Sequence, residues 1–332
     1  MSIRRSRIFW AAGLGLLLLL LGAILAATYW AVGPAVRCDL PLGDQVSPGW
    51  SARTLVSSNV QRCYYLYVPP GYDPARPPPV VVSFHGFSSN PASQALISGW
   101  HRLAEQEGFL VVYPQGTDFP QRWNAGAAWG ELDVNDVQFF RDILDDLASV
   151  EPVDLSRVYI SGFSNGGGMA VRIACEASGE VAAIGSVAGA VVDLRDCNPL
   201  RPVPIIAFHG TADPIVPYEG GMLRGSFLHD AAGATRAPNF FVGAEDWVAT
   251  WAEWNGCDSQ QAVISPQGDV RVTRYTGCDQ NATVILYTIE GGGHTWPGGW
   301  PIPAVGATSR EIDATEEQWQ FFQRYTLAGL GR

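Results

Sequence analysis

The stretch Val158-Tyr159-Ile160-Ser161-Gly162-Phe163-Ser164-Asn165-Gly166 decides how this chain is read. A short apolar run enters G-x-S-x-G. A run that begins with small residues and turns amphipathic, Gly167 to Ala177, leaves it. Strand, sharp turn, helix is the context in which a serine hydroxyl is lifted clear of the backbone. Glycines on either side of the serine remove the Cβ atoms that would strike the neighbouring strand and helix. The helix that follows aims its N-terminal N–H groups toward the serine, where negative charge develops during acyl transfer. A glycine-rich turn whose serine merely caps a helix would look similar, so the partners of Ser164 carry the argument further.

Outward from that turn, apolar runs alternate with amphipathic ones. Val80 to Phe84, Phe109 to Tyr113, Val158 to Ser161, Val181 to Ala188, Val203 to Phe208 and Val284 to Ile289 read as buried strands, as does the more aromatic Cys63 to Val68. Gln94 to Glu107, Val137 to Val150, Asp246 to Asn255 and Glu316 to Leu327 read as helices. The pattern predicts an α/β fold with a mostly parallel central sheet covered by helices on both faces. Sites in such sheets lie beyond the carboxyl ends of the strands. His85, Ser164, Asp213 and His294 each follow a predicted strand. Glu219 to Gly243, rich in Gly and Ala, reads as an irregular excursion.

A serine needs a base within hydrogen-bond reach, and the base needs an orienting acid. Three histidines follow Ser164. His209 shares the loop of the candidate acid and fits the order poorly, and His229 lies in the excursion. His294, after a strand and three glycines, is the expected base. Asp213 is the expected acid, with Asp193 and Asp196 as alternatives. The oxyanion hole needs two backbone N–H donors, expected from Asn165 and Phe87. His85 reads as a residue that holds the loop rather than one that carries protons. Trp123, Trp129, Trp296 and Trp300 fall in predicted loops, where they can pack or can wall a site for an aromatic acyl group or a sugar ring.

Composition bounds the rest. The chain has 332 residues, 16% of them charged, and a formal net charge of -11. It is globular in composition and has no electrostatic footprint for nucleic acid. Arg4, Arg5 and Arg7 precede an uncharged run whose stretch from Phe9 to Val32 is long enough to span a bilayer. Residues 1–37 are therefore expected to be a membrane anchor or a signal peptide, the length favouring a retained helix, with a catalytic domain over 38–332 outside the cytoplasm. Six cysteines, Cys38, Cys63, Cys175, Cys197, Cys257 and Cys278, fall in three local pairs, as disulfides in an exported protein would. Free buried thiols are the alternative, and 15 connectivities are open. No C-x-x-C spacing suggests a structural metal.

Five segments then resemble one family: YYLYVPPGY over Tyr64–Tyr72, VVVSFHGF over Val80–Phe87, VYISGFSNGGG over Val158–Gly168, PIIAFHGTADPIVPY over Pro204–Tyr218 and GGGHTWPG over Gly291–Gly298. Together they resemble the secreted polyhydroxybutyrate depolymerase-like and feruloyl or acetylxylan esterases. The resemblance implies an α/β-hydrolase fold with Ser164, Asp213 and His294 as the triad, no metal or organic cofactor, and the pairs Cys175–Cys197 and Cys257–Cys278. It implies an ester substrate: a feruloylated or acetylated polysaccharide, or a hydroxyalkanoate oligomer. The same triad could serve an acyltransferase, and a membrane-tethered binding module without catalysis is the reading from another class.

Overall fold

Strand β5 (Val158–Phe163) lies inside a ten-stranded sheet, flanked on each side by parallel neighbours. The computed structural model of the chain describes residues 49–126, 133–192, 194, 195, 197–222, 240–264 and 268–327. The sheet comprises β1 (Gly49–Ser57), β2 (Val60–Val68), β3 (Val80–Phe84), β4 (Leu110–Pro114), β5, β6 (Ala183–Val187), β7 (Ile205–Gly210), β10 (Ser259–Ile264), β11 (Val270–Thr276) and β12 (Val284–Ile289). Their order is β1-β2-β4-β3-β5-β6-β7-β12-β11-β10. The six central strands run parallel, and an antiparallel pair closes each edge. Two-residue strands β8 (Gly221–Met222) and β9 (Phe240–Phe241) pair at the ends of the Gly/Ala-rich excursion; residues 223–239 between them lie outside the described residues.

The strands alternate their side chains between two helical layers. Val80, Val82, Phe84, Val158 and Ile160 pack with helices α3 (Asp136–Val150), α4 (Asn165–Glu176) and α5 (Ala244–Trp254). Val81, Val111, Tyr159 and Ile206 face α1 (Pro91–Ser98), α2 (Trp100–Glu107) and α6 (Ala314–Phe322). Both faces are buried, which is why these strands read as unbroken apolar runs.

Most predicted elements are found within two or three residues of their expected bounds. Three differences have local causes. The helix expected over Gln94–Glu107 is two helices, because Gly99 takes φ 67 between them. Strand β1 and the hairpin to β2 fall where the sequence signals are mixed; Ser58 and Asn59 both take positive φ, giving the tight turn whose twist suits two antiparallel strands. Edge strands β10 and β11 lack the apolar density that marks the central ones.

Disulfides join Cys175 to Cys197 and Cys257 to Cys278. The first ties the last turn of α4, the helix that begins after Ser164, to the loop beyond β6. Cys63 is also disulfide-bonded; its expected partner Cys38 lies outside the described residues, as does the whole predicted N-terminal segment 1–37. Among the described residues no helix is long and apolar enough to cross a membrane.

Candidate active site

The parallel register aligns Phe84, Gly162, Ser186, Ala207 and Leu286 in one row across the sheet. The chain segments that leave those strands therefore emerge on one edge. Ser164 follows β5 directly with φ 56 and ψ -118, a conformation that costs a non-glycine residue about 1–3 kcal/mol. It is held there from both sides. Its N–H donates to Val187 O (2.9 Å), and its carbonyl accepts from Gly168 N and Ala190 N, both at 3.0 Å. The glycines have the role expected of them. A Cβ on Gly162 would stand 2.0 Å from Gly166 O, and one on Gly166 would stand 2.3 Å from Phe84 O. The turn can be this tight only because those atoms are absent.

Asp213 and His294 meet although 81 residues separate them. His294 Nδ1 donates to Asp213 Oδ2 at 2.7 Å. The other carboxylate oxygen, Oδ1, accepts from the N–H groups of Ile215 (2.8 Å) and Val216 (2.9 Å). Burial by itself would raise the Asp213 pKa; the nearby His294 and these hydrogen bonds outweigh it and hold the carboxyl below its usual range. The His294 ring lies 4.9 Å from the Phe163 ring, centroid to centroid, which puts the imidazole beside the residue that precedes Ser164. Both Ser164 and His294 retain a little exposure, 6% and 4%. Among the described residues no hydrogen bond is seen for the Ser164 hydroxyl or for His294 Nε2.

The segment 85–88 closes the other side. A Cβ on Gly86 would touch Ser164 Cβ at 3.3 Å, so the strand-to-helix turn and the residues next to Phe87 are in contact. Asn165 is the first residue of α4, where backbone N–H groups point out of the helix. Its side chain is occupied elsewhere: Oδ1 accepts from Trp123 N (2.8 Å) and Nδ2 donates to Trp123 O (3.2 Å). His85 is fully buried; its Nδ1 donates to Gly86 O (2.7 Å) and its Nε2 accepts from Gly116 N (2.9 Å). Burial pushes its pKa down to about 4, so it is a neutral brace for the loop.

The aromatic wall expected from the sequence needs correcting. Trp123 has no exposed surface and Trp296 has 1%. Trp123 Nε1 donates to His85 O (2.8 Å), and Trp296 Nε1 donates to Thr315 Oγ1 (3.0 Å). Both indoles are packing groups, with no face left open to a ligand. Trp129, Asp193 and Asp196 lie outside the described residues, as does His229.

Two participants escaped the sequence reading. His209, set aside because it precedes Asp213 and shares its loop, sits behind that carboxylate: its Nε2 donates to Val216 O (3.0 Å) and stands 3.5 Å from Asp213 Oδ2. Burial lowers its pKa against the pull of Asp213. The Arg62–Asp136 ion pair (2.8 Å) is buried, and Asp136 Oδ2 accepts from Asn124 N (2.7 Å), fixing the loop that carries Trp123. Arg62 falls just outside the strand expected over Cys63 to Val68, beside Gln61, so the sequence carried no signal for its burial. Among the described residues no cluster of His, Cys, Asp and Glu has metal-site geometry.

Comparison with known proteins agrees with this fold. Residues 72–240 match the phospholipase/carboxylesterase family. Feruloyl esterase B of Piromyces equi is 31% identical over 232 residues, which are 68% of this chain but 41% of that protein, so the chain spans about two fifths of its length. The putative esterase NocK of Nocardia uniformis subsp. tsuyamanensis is 30% identical over 82% of both chains. Feruloyl esterase C of Emericella nidulans is 29% identical over 91% of this chain and 99% of its own. The solved acetyl xylan esterase from Aspergillus awamori superposes with a TM-score of 0.56 at 16% identity, over 82% of this chain and 99% of that one, a likeness of fold. With the sheet, the elbow and these relatives in hand, the chain belongs to the phospholipase/carboxylesterase family and is a feruloyl esterase-like carboxylic ester hydrolase of the α/β-hydrolase fold.

Proposed function

We propose that the chain is an exported serine esterase in which Ser164, His294 and Asp213 form the catalytic triad. The observation that carries this reading is the 2.7 Å contact of His294 Nδ1 with the buried Asp213 carboxylate, beside the strained turn at Ser164. Asp213 fixes the tautomer of His294, leaving Nε2 as the base. Ser164 Oγ attacks the ester carbonyl carbon as Nε2 takes the hydroxyl proton. The carbonyl π bond opens onto oxygen, and the N–H groups of Phe87 and Asn165 receive that charge. The carbonyl re-forms as the carbon–oxygen bond to the alcohol breaks, and Nε2 returns its proton to the departing oxygen. Water then attacks the acyl-serine by the same route and releases the acid.

The substrates proposed are feruloyl or acetyl esters carried on polysaccharide. The names of the relatives support this class, and hydroxyalkanoate oligomers are the outer member of the test set. Residues 1–37 are proposed as the anchor or leader that takes the domain over 38–332 out of the cytoplasm. The disulfides in the described part fit an oxidising compartment.

The test is steady-state hydrolysis of methyl ferulate, p-nitrophenyl acetate and hydroxybutyrate oligomers by wild type and Ser164→Ala. A loss of roughly 10⁴-fold or more in kcat is expected, together with loss of fluorophosphonate labelling. Activity in Ser164→Ala close to wild type overturns the assignment.

A further inference from the structure

The segment that carries Asp213 leaves β7 at Gly210 and reaches a second anchor at Tyr218. Between those points its backbone is folded around the carboxylate: Asp213 Oδ1 accepts from the Ile215 and Val216 N–H groups. A shift of the segment therefore carries Asp213 with it, and acts on His294 through the 2.7 Å bond to Oδ2. Whatever fixes the far end of the segment bears on the geometry of that pair.

Tyr218 is buried and fastened at both ends. Its backbone carbonyl accepts from Ala244 N (2.7 Å), at the start of α5. Its phenol oxygen lies 2.8 Å from Glu245 Oε1 and 2.8 Å from Thr288 Oγ1 on β12, with Arg271 Nη2 of β11 at 3.5 Å. The proton accounting closes in one way. A carboxylate only accepts and a guanidinium only donates, so the phenol gives its single proton to Glu245 and accepts from Thr288 and Arg271.

Between those two ends the Tyr218 ring backs His209. The rings meet edge to face, with centroids 5.9 Å apart and planes at 77°. His209 and Thr288 are paired in the parallel register of β7 and β12, so one tyrosine touches both members of the pair. On its other side His209 reaches Val216 O and Asp213 Oδ2. The contacts therefore form a closed circuit: Asp213, His209, Tyr218 and back along the chain through Val216.

The outer end of this circuit reaches water. The Glu245 side chain is 55% exposed; it pairs with Arg271 (3.0 Å), which also meets Glu290 (3.4 Å). Such a surface pair adds little to stability by itself. Here it orients the acceptor that takes the Tyr218 proton.

We propose that Tyr218 is a positioning residue for the Asp213–His294 pair, tying the acid segment and His209 to α5, β11 and β12, and that the surface pair Glu245–Arg271 sets turnover through it. This rests on the reading of Ser164, His294 and Asp213 as the triad. Tyr218 acts through His209 and Asp213 and takes no part in the bond-making steps.

The test compares wild type, Tyr218→Phe, Glu245→Ala and Glu245→Gln on p-nitrophenyl acetate, with rates expressed per folded molecule. Tyr218→Phe keeps the ring and removes only the hydroxyl; kcat should fall roughly three- to tenfold with KM within about twofold. Glu245→Ala, a change at the surface, should lower kcat roughly two- to fivefold. Glu245→Gln, which keeps an acceptor oxygen, should recover most of that loss. Proton NMR reads the pair directly. The downfield imidazole N–H signal that His294→Ala removes should move in Tyr218→Phe and Glu245→Ala and stay near its wild-type place in Glu245→Gln. A Tyr218→Phe enzyme with kcat and this signal unchanged, or with its loss confined to KM or to the urea midpoint, overturns the positioning role. Ser164→Ala, run alongside on the same ester, separates the two claims. If it abolishes hydrolysis while Tyr218→Phe keeps kcat, the positioning role falls and the triad stands; if it hydrolyses like wild type, both fall.

Discussion

Asp136 and Asp213 are both buried carboxylates that spend both oxygens on fixed partners, and their networks end in chemically different groups. Asp136 meets Arg62 at 2.8 Å and the Asn124 N–H at 2.7 Å. Arg62 in turn lies 3.9 Å from the centre of the Phe139 ring and donates to Gln115 O. That chain of contacts ends in a permanent cation with nowhere to send a proton. Asp213 meets the Ile215 and Val216 N–H groups and His294. That chain ends in an imidazole, which can gain and lose a proton, with no hydrogen bond seen at its second nitrogen among the described residues. Burial of charge alone therefore does not distinguish the two carboxylates; under the proposed triad, the last group in each network does.

The comparison can be broken most sharply by removing one charge at each end. Asp213→Asn should lower kcat on p-nitrophenyl acetate by about 10⁴-fold, as loss of the orienting acid does elsewhere, with the urea midpoint nearly unchanged. Asp136→Ala should do the reverse. Stranding the Arg62 guanidinium in the core should cost about 3–5 kcal/mol of unfolding free energy, while the surviving folded fraction keeps kcat within about tenfold. If both variants lose chiefly activity, or both chiefly stability, the distinction fails.

A smaller effect is expected from acid. His85 has its pKa pushed down to about 4 from 6.5, so between those values the unfolded chain binds a proton that the folded chain refuses. Stability should be fully present above pH 6.5 and decline as pH falls toward 4, by an amount on the order of 3 kcal/mol for this group. Denaturant unfolding at pH 7, 6 and 5 measures the slope, and His85→Gln should flatten it. An unchanged slope in that variant would remove His85 as the cause. His209, also lowered by burial, adds in the same direction.

The smallest effect sharpens the acid side. His209 holds Val216 O, whose own N–H group holds Asp213 Oδ1. His209→Ala should lower kcat about 10- to 100-fold with KM unchanged, the scale of a misplaced catalytic group. His209→Gln, which keeps an N–H donor, should recover part of it. A change confined to KM would argue against a positioning role.

Much of this was legible in the chain. The buried parallel strands were plain because a strand covered on both faces is apolar without interruption. The elbow was legible only as a strand–glycine–helix pattern; the structure supplies the reason for its glycines, since a Cβ on Gly162 would stand 2.0 Å from Gly166 O. Eliminating His209 and His229 left His294 as the candidate base, and the structure brings that residue to Asp213. The roles of the tryptophans were not legible. Trp123 and Trp296 are buried whereas Trp300 is exposed, yet all three lie outside helices and strands, where no periodicity reports which way a side chain faces. Edge strands β10 and β11, and the hairpin at Ser58-Asn59, were likewise hidden by their mixed polar and apolar sequence.

By itself the sequence determined what local chemistry determines: strand or helix, the glycine-dependent turn at Ser164, and the residue types able to serve as nucleophile, base and acid. Only the tertiary structure decided which carboxylate meets which cation, that His209 stands behind Asp213, and which indoles are buried and which is exposed. The two carboxylate contacts join residues far apart in the chain, Arg62 with Asp136 at a separation of 74 and Asp213 with His294 at 81. The parallel register of the sheet sets such distances, and no local pattern in the chain encodes them.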